Sequence, residues 1–287
     1  MPSIVIDGKE IEYTVGTTIG RDHLYVGSGS IKPLVGKGNQ DAYVVVEDED
    51  FLIAIITDGC SEGEYSEVGA NYGVNYLAKH FVEKFQRKRF AGNVNDFEEI
   101  RQDLLAVLHV WLRDFPGSFR TNVNNYVLFT VMGTMVYPGH IVIFYIGDGY
   151  FAFNGDLRRI GPFPNNEPPY TGYGLVHTKM VENDPNIIKF KVGYYGGTEH
   201  LASALIASDG LEWFIKNEDV TIPGHTRKVG SVSQFWESDI FYNNETEMSR
   251  FLRRCNYDVQ RVESGCLKNT VGLLNDDTTV FALRVKK

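Results

Sequence analysis

The chain has 287 residues, of which 43% are hydrophobic and 13% aromatic, so it can bury a large core. Its formal net charge of −9 argues against binding nucleic acid through a broad basic surface. Its three cysteines show no paired spacing, which argues against a disulfide-stapled secreted fold and a cysteine-based metal site.

The first residues lack both a basic stretch and a long apolar stretch, so no signal peptide is expected. No run of about 18 apolar residues occurs, so no membrane span is expected either. We therefore expect a cytoplasmic protein. The absence of linkers, repeats and low-complexity stretches predicts one domain over residues 1–287.

The predicted elements begin with short strands and continue with two helices. Strands are predicted around turn signals at 4–7, 11–15, 42–47 and 51–57. Apolar residues at helical spacing predict helices within 70–85 and 97–115. Later strands are predicted at 127–137, 141–146, 150–153, 157–160, 187–192, 202–207 and 279–285, with a helix at 245–254.

Two segments resist a regular assignment. Segment 161–187 is rich in Pro, Gly and Asn, which predicts a long surface loop that we interpret as a flap. Segment 216–270 is a candidate insertion, and within it 216–244 fits both a substrate-side insertion and ordinary core. Because hairpins join most strands, the element order favours an α+β fold of antiparallel sheets with helices on their faces.

The hairpin around the acidic tip 48–50 brings two carboxylates together. Asp41 lies seven residues before the tip and Asp58 lies eight residues after it. In an antiparallel pair these two positions meet at the same open end. The sequence therefore predicts a pair of acids at one sheet edge.

The chain also repeats an apolar strand that runs into an Asp-Gly pair. The pairs are Asp58-Gly59, Asp148-Gly149 and Asp209-Gly210, and the acids Asp276-Asp277 directly precede the last strand. Each pair alone also suits a common hairpin turn, so a structural role stays open for each. Together, short carboxylates on rigid strand ends suit Mg²⁺ or Mn²⁺, which prefer oxygen ligands. Two such ions can activate a water and clamp a phosphoryl oxygen.

The chain contains a series of short motifs, which are Asn39-Gln40-Asp41-Ala42, Asp58-Gly59-Cys60 with Ser66-Glu67-Val68-Gly69-Ala70, Met132-Gly133-Thr134 with Ile146-Gly147-Asp148, Ala207-Ser208-Asp209-Gly210-Leu211, and Asp276-Asp277-Thr278-Thr279-Val280. In content and in order along the chain, these motifs resemble those of the type 2C family of metal-dependent Ser/Thr protein phosphatases, in its bacterial form. The resemblance implies a four-layer α-β-β-α sandwich of two antiparallel sheets flanked by helices. It also implies hydrolysis of phosphoserine and phosphothreonine in a phosphoprotein substrate, through a hydroxide that bridges two Mn²⁺ or Mg²⁺ ions.

The resemblance also implies a role for each acid. Asp58 would bridge the two ions and the Gly59 carbonyl would bind one of them. Asp209 and Asp276 would bind the other ion, and with Asp58 they would form the catalytic centre. Asp41 would lie close by and act through metal-bound water.

The remaining assignments and departures concern neighbouring positions. Asp148 would bind a third, weaker metal, and Asp277 is the rival of Asp276. Where the family often has a phosphate-binding Arg, this chain has Gly36, and the adjacent Lys37 is the candidate phosphate-binding residue. Gln40 replaces the usual Glu, which removes a charge near the metals.

Other functions stay open from the sequence. Gly36 and Gln40 fit a catalytically inactive phosphatase-fold scaffold or binding module as well as a weaker enzyme. A phosphohydrolase acting on a small phosphate ester is a second alternative, although no phosphate-cradling Gly-rich loop is visible. A plain metal-stabilised sandwich is a third. Cys60 follows the first Asp-Gly, where eukaryotic members often have His, and is interpreted as a small buried residue beside the site.

Overall fold

A computed structural model of the chain describes residues 2–24, 38–87, 90, 92–263 and 266–286. The strands are β1 (Ser3–Ile6), β2 (Lys9–Thr18), β3 (Asp41–Asp48), β4 (Phe51–Gly59), β5 (Phe129–Tyr137), β6 (His140–Ile146), β7 (Gly149–Phe153), β8 (Asp156–Ile160), β9 (Lys191–Gly196), β10 (Ser203–Ala207), β11 (Val259–Glu263), β12 (Cys266–Thr270) and β13 (Thr278–Val285). The helices are α1 (Arg21–Leu24), α2 (Ser66–Gln86), α3 (Val94–Leu112), α4 (Phe119–Tyr126), α5 (Lys179–Asn183), α6 (Leu211–Lys216), α7 (Gln234–Glu237) and α8 (Glu247–Cys255).

The strands form two large antiparallel sheets and one separate hairpin. The first sheet has the order β1-β2-β13-β10-β7-β8, and the second has the order β3-β4-β5-β6-β9. Among the described strands, β11 and β12 pair only with each other. The predicted pair of antiparallel sheets is therefore confirmed.

Strand β4 shows why the sheets stack. Leu52, Ala54 and Ile56 pack in the apolar layer between the two sheets. Their neighbours Ile53 and Ile55 belong to the layer on the opposite face. Because successive side chains of a strand point to opposite faces, a continuous apolar run fits a strand that is buried on both sides.

Helices cover the two outer faces. On the second sheet, Leu77 and Phe81 of α2 pack with Phe97 of α3, which begins with a capping box between Asn93 and Asp96. On the first sheet, a separate apolar cluster unites α6, α7 and α8. The architecture is the expected four-layer α-β-β-α sandwich.

The unassigned segment 216–244 contributes to this second outer layer. Phe235 and Phe241 are fully buried there, in ring contact with Phe251 of α8. Segment 216–244 thus supplies ordinary core. Its irregular turns and short helices give it no periodic pattern in the sequence.

The prediction of a surface loop over the whole of 161–187 is wrong in its middle. Residues 168–173 are buried, and Tyr170 and Tyr173 pack into the core beneath α2 and α3. The later part of the segment carries α5. Apolar contacts with the second sheet outweigh the loop-like composition. No helix in the described part of the chain is long and apolar enough to cross a membrane.

Candidate active site

The second sheet supplies two of the predicted acids. Asp41 and Asp58 are direct partners in the β3–β4 ladder, as the count from the hairpin tip predicts. Asp58 also pairs with Thr130 of β5. Asp41 is buried, and its Oδ2 accepts a hydrogen bond from Ser208 Oγ at 2.8 Å. Ser208 belongs to the first sheet's loop, so this bond joins the two sheets directly.

The first sheet supplies the other acids at the same end of the sandwich. Asp209 follows β10 and Asp276 precedes β13, and these strands are antiparallel neighbours that pair Ala207 with Val280. The end of β10 therefore lies beside the beginning of β13. Asp148 lies where β6 of the second sheet passes into β7 of the first.

The turn around Asp148 depends on its flanking glycines. Gly147 has a φ of 96° and Gly149 has a φ of 136°, which residues with a Cβ rarely adopt. The chain can therefore reverse within three residues and leave Asp148 at the seam between the sheets. The recurring Asp-Gly pattern in the sequence signalled this geometry.

These acids line one small cavity of about 40 Å³, which has room for a few water-sized groups. Its lining is Asp58, Gly59, Cys60, Ser61, Thr130, Asp148, Asn166, Pro168, Tyr170, Asp209 and Asp276. Five of the six predicted metal-site residues are in this lining, and Asp41 lies behind Asp58. The described lining includes no Lys or Arg.

The carboxylates strongly perturb one another. Burial, followed by the charges of Asp41 and Asp209, raises the pKa of Asp58 well above its usual range. Burial, followed by the charges of Asp276 and Asp148, raises the pKa of Asp209 to about 7. Burial is also the main reason that the pKa of Asp148 rises to about 6. Clustered carboxylates can all remain ionised only if a cation compensates them. Without a cation, at least one of them holds a proton.

The adjacent acids Asp276 and Asp277 have different surroundings. Asp276 lines the cavity and is partly exposed. Asp277 is buried and accepts hydrogen bonds from the backbone N–H groups of Gly20 and Gln40, both at 2.5 Å. His23 Nδ1 of α1 also lies 2.9 Å from Asp277 Oδ2. Asp277 therefore holds the segments at Gly20 and Gln40 together behind the site.

The donor chemistry of the cavity fits a hard divalent cation. Several aspartate oxygens and a backbone segment surround a small volume with raised carboxyl pKa values. Within the described ranges, no three His, Cys, Asp or Glu side chains already converge on one point as a ready-made metal site. The carboxyl groups of Asp58 and Asp209 instead lie close enough to share a proton. A proton shared in this way is the alternative to a bound cation.

Comparisons with known proteins decide the family. The profile described as "Protein phosphatase 2C" matches residues 29–253. This chain belongs to the protein phosphatase 2C family. No curated protein sequence matches it significantly.

Solved structures of similar fold include bacterial serine and serine/threonine phosphatases. A bacterial serine phosphatase is 11% identical with a TM-score of 0.54, over 96% of this chain and 98% of that one. Stp1, a serine/threonine phosphatase from Staphylococcus aureus, is 13% identical with a TM-score of 0.51, over 100% and 98%. The Mycobacterium tuberculosis phosphatase PstP/Ppp is 11% identical with a TM-score of 0.50, over 96% and 99%. Likeness at these identities shows that the fold is shared.

Gln40 is a departure from the protein phosphatase 2C motifs that lies among the described residues. Gln40 is fully buried and donates from Nε2 to the Cys60 carbonyl at 3.2 Å and to Ser66 Oγ. A glutamate could not donate these bonds, so the amide ties the turn after Asp58 to the start of α2. Lys37 and Gly36 lie outside the described residues.

Sequence analysis did not identify Asn166 and Tyr170 as parts of the cavity wall. Both belong to segment 161–187, which the sequence analysis interpreted as a flap. The Pro-, Gly- and Asn-rich composition of that segment was the one signal in the sequence for a role at the site. Ser208, which bonds Asp41, lies within the Ser-Asp-Gly-Leu motif but was given no role.

Proposed function

We propose that this phosphatase-family chain is a metal-dependent enzyme that hydrolyses phosphoserine and phosphothreonine in proteins. The observation that carries the proposal is the gathering of Asp58, Asp148, Asp209 and Asp276 around one cavity at the seam of the two sheets. Buried acids of one sign are costly to keep unless they bind a cation. The family supports the phosphate ester as the substrate.

In this proposal Asp58, Asp209 and Asp276 hold two Mn²⁺ or Mg²⁺ ions with the Gly59 carbonyl, and Asp148 holds a third. Bound ions of this kind lower the pKa of a water and polarise a phosphoryl oxygen. Asp41 acts through metal-bound water from behind the cavity, where the Ser208 hydroxyl donates a hydrogen bond to its Oδ2. Lys37 is the proposed cationic contact to substrate phosphate.

The chain's other residues keep the ligands in position. Asp277, which precedes β13, accepts hydrogen bonds from the backbone N–H groups of Gly20 and Gln40. Gly20 follows β2 and Gln40 precedes β3, so one carboxylate holds the ends of three strands together. Such preorganisation lets charges act on a transition state without rearrangement. We further propose a single catalytic domain over 1–287, located in the cytoplasm, with the exposed parts of 161–187 as its flap and with 216–270 as an insertion whose 216–244 part is core.

Hydrolysis of a phosphothreonine peptide tests the proposal. Wild type, Asp209→Asn and Asp219→Asn are assayed with EDTA and with Mn²⁺. Asp219 is an exposed acid paired with Lys228, so its variant is the matched control. Turnover should require Mn²⁺, fall at least about 100-fold in Asp209→Asn and stay near wild type in Asp219→Asn.

The other outcomes point to different functions. No turnover in wild type that still binds Mn²⁺ would favour a scaffold or a small phosphate ester as substrate. Equal turnover in wild type and Asp209→Asn would remove Asp209 from the catalytic centre. No turnover and no Mn²⁺ binding would leave the strand-end aspartates with structural roles only.

A further inference from the structure

The cavity presents acids to a substrate group that is itself negative. A phosphate monoester carries about −1.5 to −2 charges at neutral pH. Bound ions would offset part of the repulsion, but the described lining contains no cationic side chain. Its neutral side chains with hydroxyl or amide hydrogens are Ser61, Thr130, Asn166 and Tyr170.

Thr130 and Tyr170 are buried, whereas Ser61 and Asn166 are exposed to solvent. Tyr170 is 9% exposed. Its hydroxyl lies beside the Cys60 thiol, and the charges of Asp58 and Asp148 act on it. The phenol is therefore at the wall that carries the acids. Burial raises the pKa of the Tyr170 phenol above its usual value, so it keeps its proton at neutral pH.

The surrounding packing holds Tyr170 in this position. Pro168 and Pro169 directly precede Tyr170. Each proline has a fixed φ and restricts the backbone of the residue before it, so the chain that leads into Tyr170 has few conformations. The Tyr173 ring meets the Tyr170 ring edge-on at 5.5 Å, and the Tyr173 amide donates to the Tyr170 carbonyl at 3.1 Å. A donor held in this way loses little conformational freedom when a ligand arrives.

The thiol beside the phenol is a weak hydrogen-bonding group. A thiol is both a weak donor and a weak acceptor. A phosphoryl oxygen is a charged acceptor, and hydrogen bonds to charged groups are about twice as strong as neutral ones. Exchange of the Cys60 thiol for a phosphoryl oxygen would therefore be favourable.

We propose that the Tyr170 hydroxyl donates a hydrogen bond to a phosphoryl oxygen of the substrate, so that a neutral phenol from the 161–187 segment recognises the phosphate in this cavity. The inference rests on the proposed function for its substrate class. It assigns Tyr170 a direct binding role and Cys60 the role of its neighbour in the free protein.

The test compares Tyr170→Phe with Tyr173→Phe in Mn²⁺-loaded protein. Each variant removes one phenol from the same buried segment, but the Tyr173 hydroxyl donates to Glu167 at 2.5 Å and is absent from the cavity lining. Inorganic phosphate binding is measured by calorimetry, and peptide turnover by steady-state kinetics. Tyr170→Phe should bind phosphate about 10-fold or more weakly, with a similar rise in KM and a smaller change in kcat. Tyr173→Phe should resemble wild type.

A third variant separates phosphate binding from the contact with Cys60. Cys60→Ala keeps the phenol and removes the thiol beside it, so it should bind phosphate at least as tightly as wild type. Phosphate affinities within twofold for Tyr170→Phe and wild type would overturn the inference. So would an equal loss in Tyr173→Phe or Cys60→Ala, or a wild type that binds no phosphate. If wild type binds phosphate but does not turn over the peptide, the proposed function fails and the calorimetry still decides the role of Tyr170.

Discussion

Asp276 and Asp277 are neighbours in the sequence, yet they meet opposite environments. The first is partly exposed in a cavity of like charges. The second is 2% exposed and receives two backbone hydrogen bonds and an imidazole. Loss of the Asp277 carboxylate should therefore lower the stability of the fold much more than loss of the Asp276 carboxylate.

The matched variants Asp276→Asn and Asp277→Asn test this difference. In Asp277→Asn, the new amide group would face a backbone N–H or the imidazole, so a buried donor would lose its acceptor. We expect the free energy of unfolding to fall by about 3 kcal/mol. Asp276→Asn should stay within about 1 kcal/mol of wild type. Urea denaturation in EDTA measures both, and equal losses would contradict the separate roles.

Asp209 should make metal-free stability depend on pH. Its pKa is about 7 in the folded protein and about 3.9 in an unfolded chain. Between these values the folded state holds a proton that the unfolded state has released. The stability from this group is therefore full below about pH 4 and is lost as pH rises through about 7.

The variant Asp209→Asn removes this titration. Its stability relative to wild type, measured by urea denaturation in EDTA, should increase as the pH is raised from about 4 to about 7. The comparison of two chains cancels the contributions of titrating groups that do not interact with Asp209. Parallel pH profiles for the two proteins would show that Asp209 does not hold its proton in the folded state.

Helix α2 approaches the site more closely than an ordinary helix could. Its first residue, Ser66, donates from Oγ to the Cys60 carbonyl at 2.8 Å. One turn later, a Cβ on Gly69 would lie 1.7 Å from the carbonyl oxygen of Tyr126. The absence of a side chain at Gly69 thus sets the distance between α2 and the segment that leads into β5.

We expect Gly69→Ala to lower the free energy of unfolding by about 2 kcal/mol or more, because a backbone carbonyl cannot move aside as a side chain can. The same change at an exposed helix position normally stabilises by about 0.5–1 kcal/mol. Asn75→Ala, on the exposed face of α2, is the control and should be nearly neutral. Thermal denaturation of both variants gives the comparison, and a stabilised Gly69→Ala would refute the close packing.

Regular elements were predictable because their patterns are local. Asp41 and Asp58 could be paired by counting, since an antiparallel ladder matches residues one to one. Burial of residues 168–173 could not be predicted, because it depends on distant contacts that override a loop-like composition. The different roles of Asp276 and Asp277 could not be predicted from the sequence either. It depends on where Gly20 and Gln40 arrive in space.

The site as a whole lies at a junction between two sheets. Asp41 and Asp58 belong to the second sheet, while Asp209 and Asp276 belong to the ends of first-sheet strands. Ions bound among them would join the two sheets, and binding only to the folded state would stabilise it.

We expect Mn²⁺ to raise the midpoint of thermal unfolding and EDTA to reverse the effect. At about 100 times the dissociation constant, the gain is about 2.7 kcal/mol. Asp58→Asn and Asp209→Asn should each abolish it, although they alter different sheets. Differential scanning calorimetry across a Mn²⁺ series measures the shift. Undiminished stabilisation in either variant would mean that the ions bind elsewhere.

Strand β13 lies in the middle of the first sheet, between β2 and β10, although it follows every other strand in the sequence. Asp276 lies two residues before its first residue, Thr278. During synthesis, β2 and β10 leave the ribosome before the strand that must separate them, so their pairing partner arrives last. The acidic cavity therefore cannot close on the nascent chain, and the phosphatase acquires its complete set of acids only when β13 has inserted.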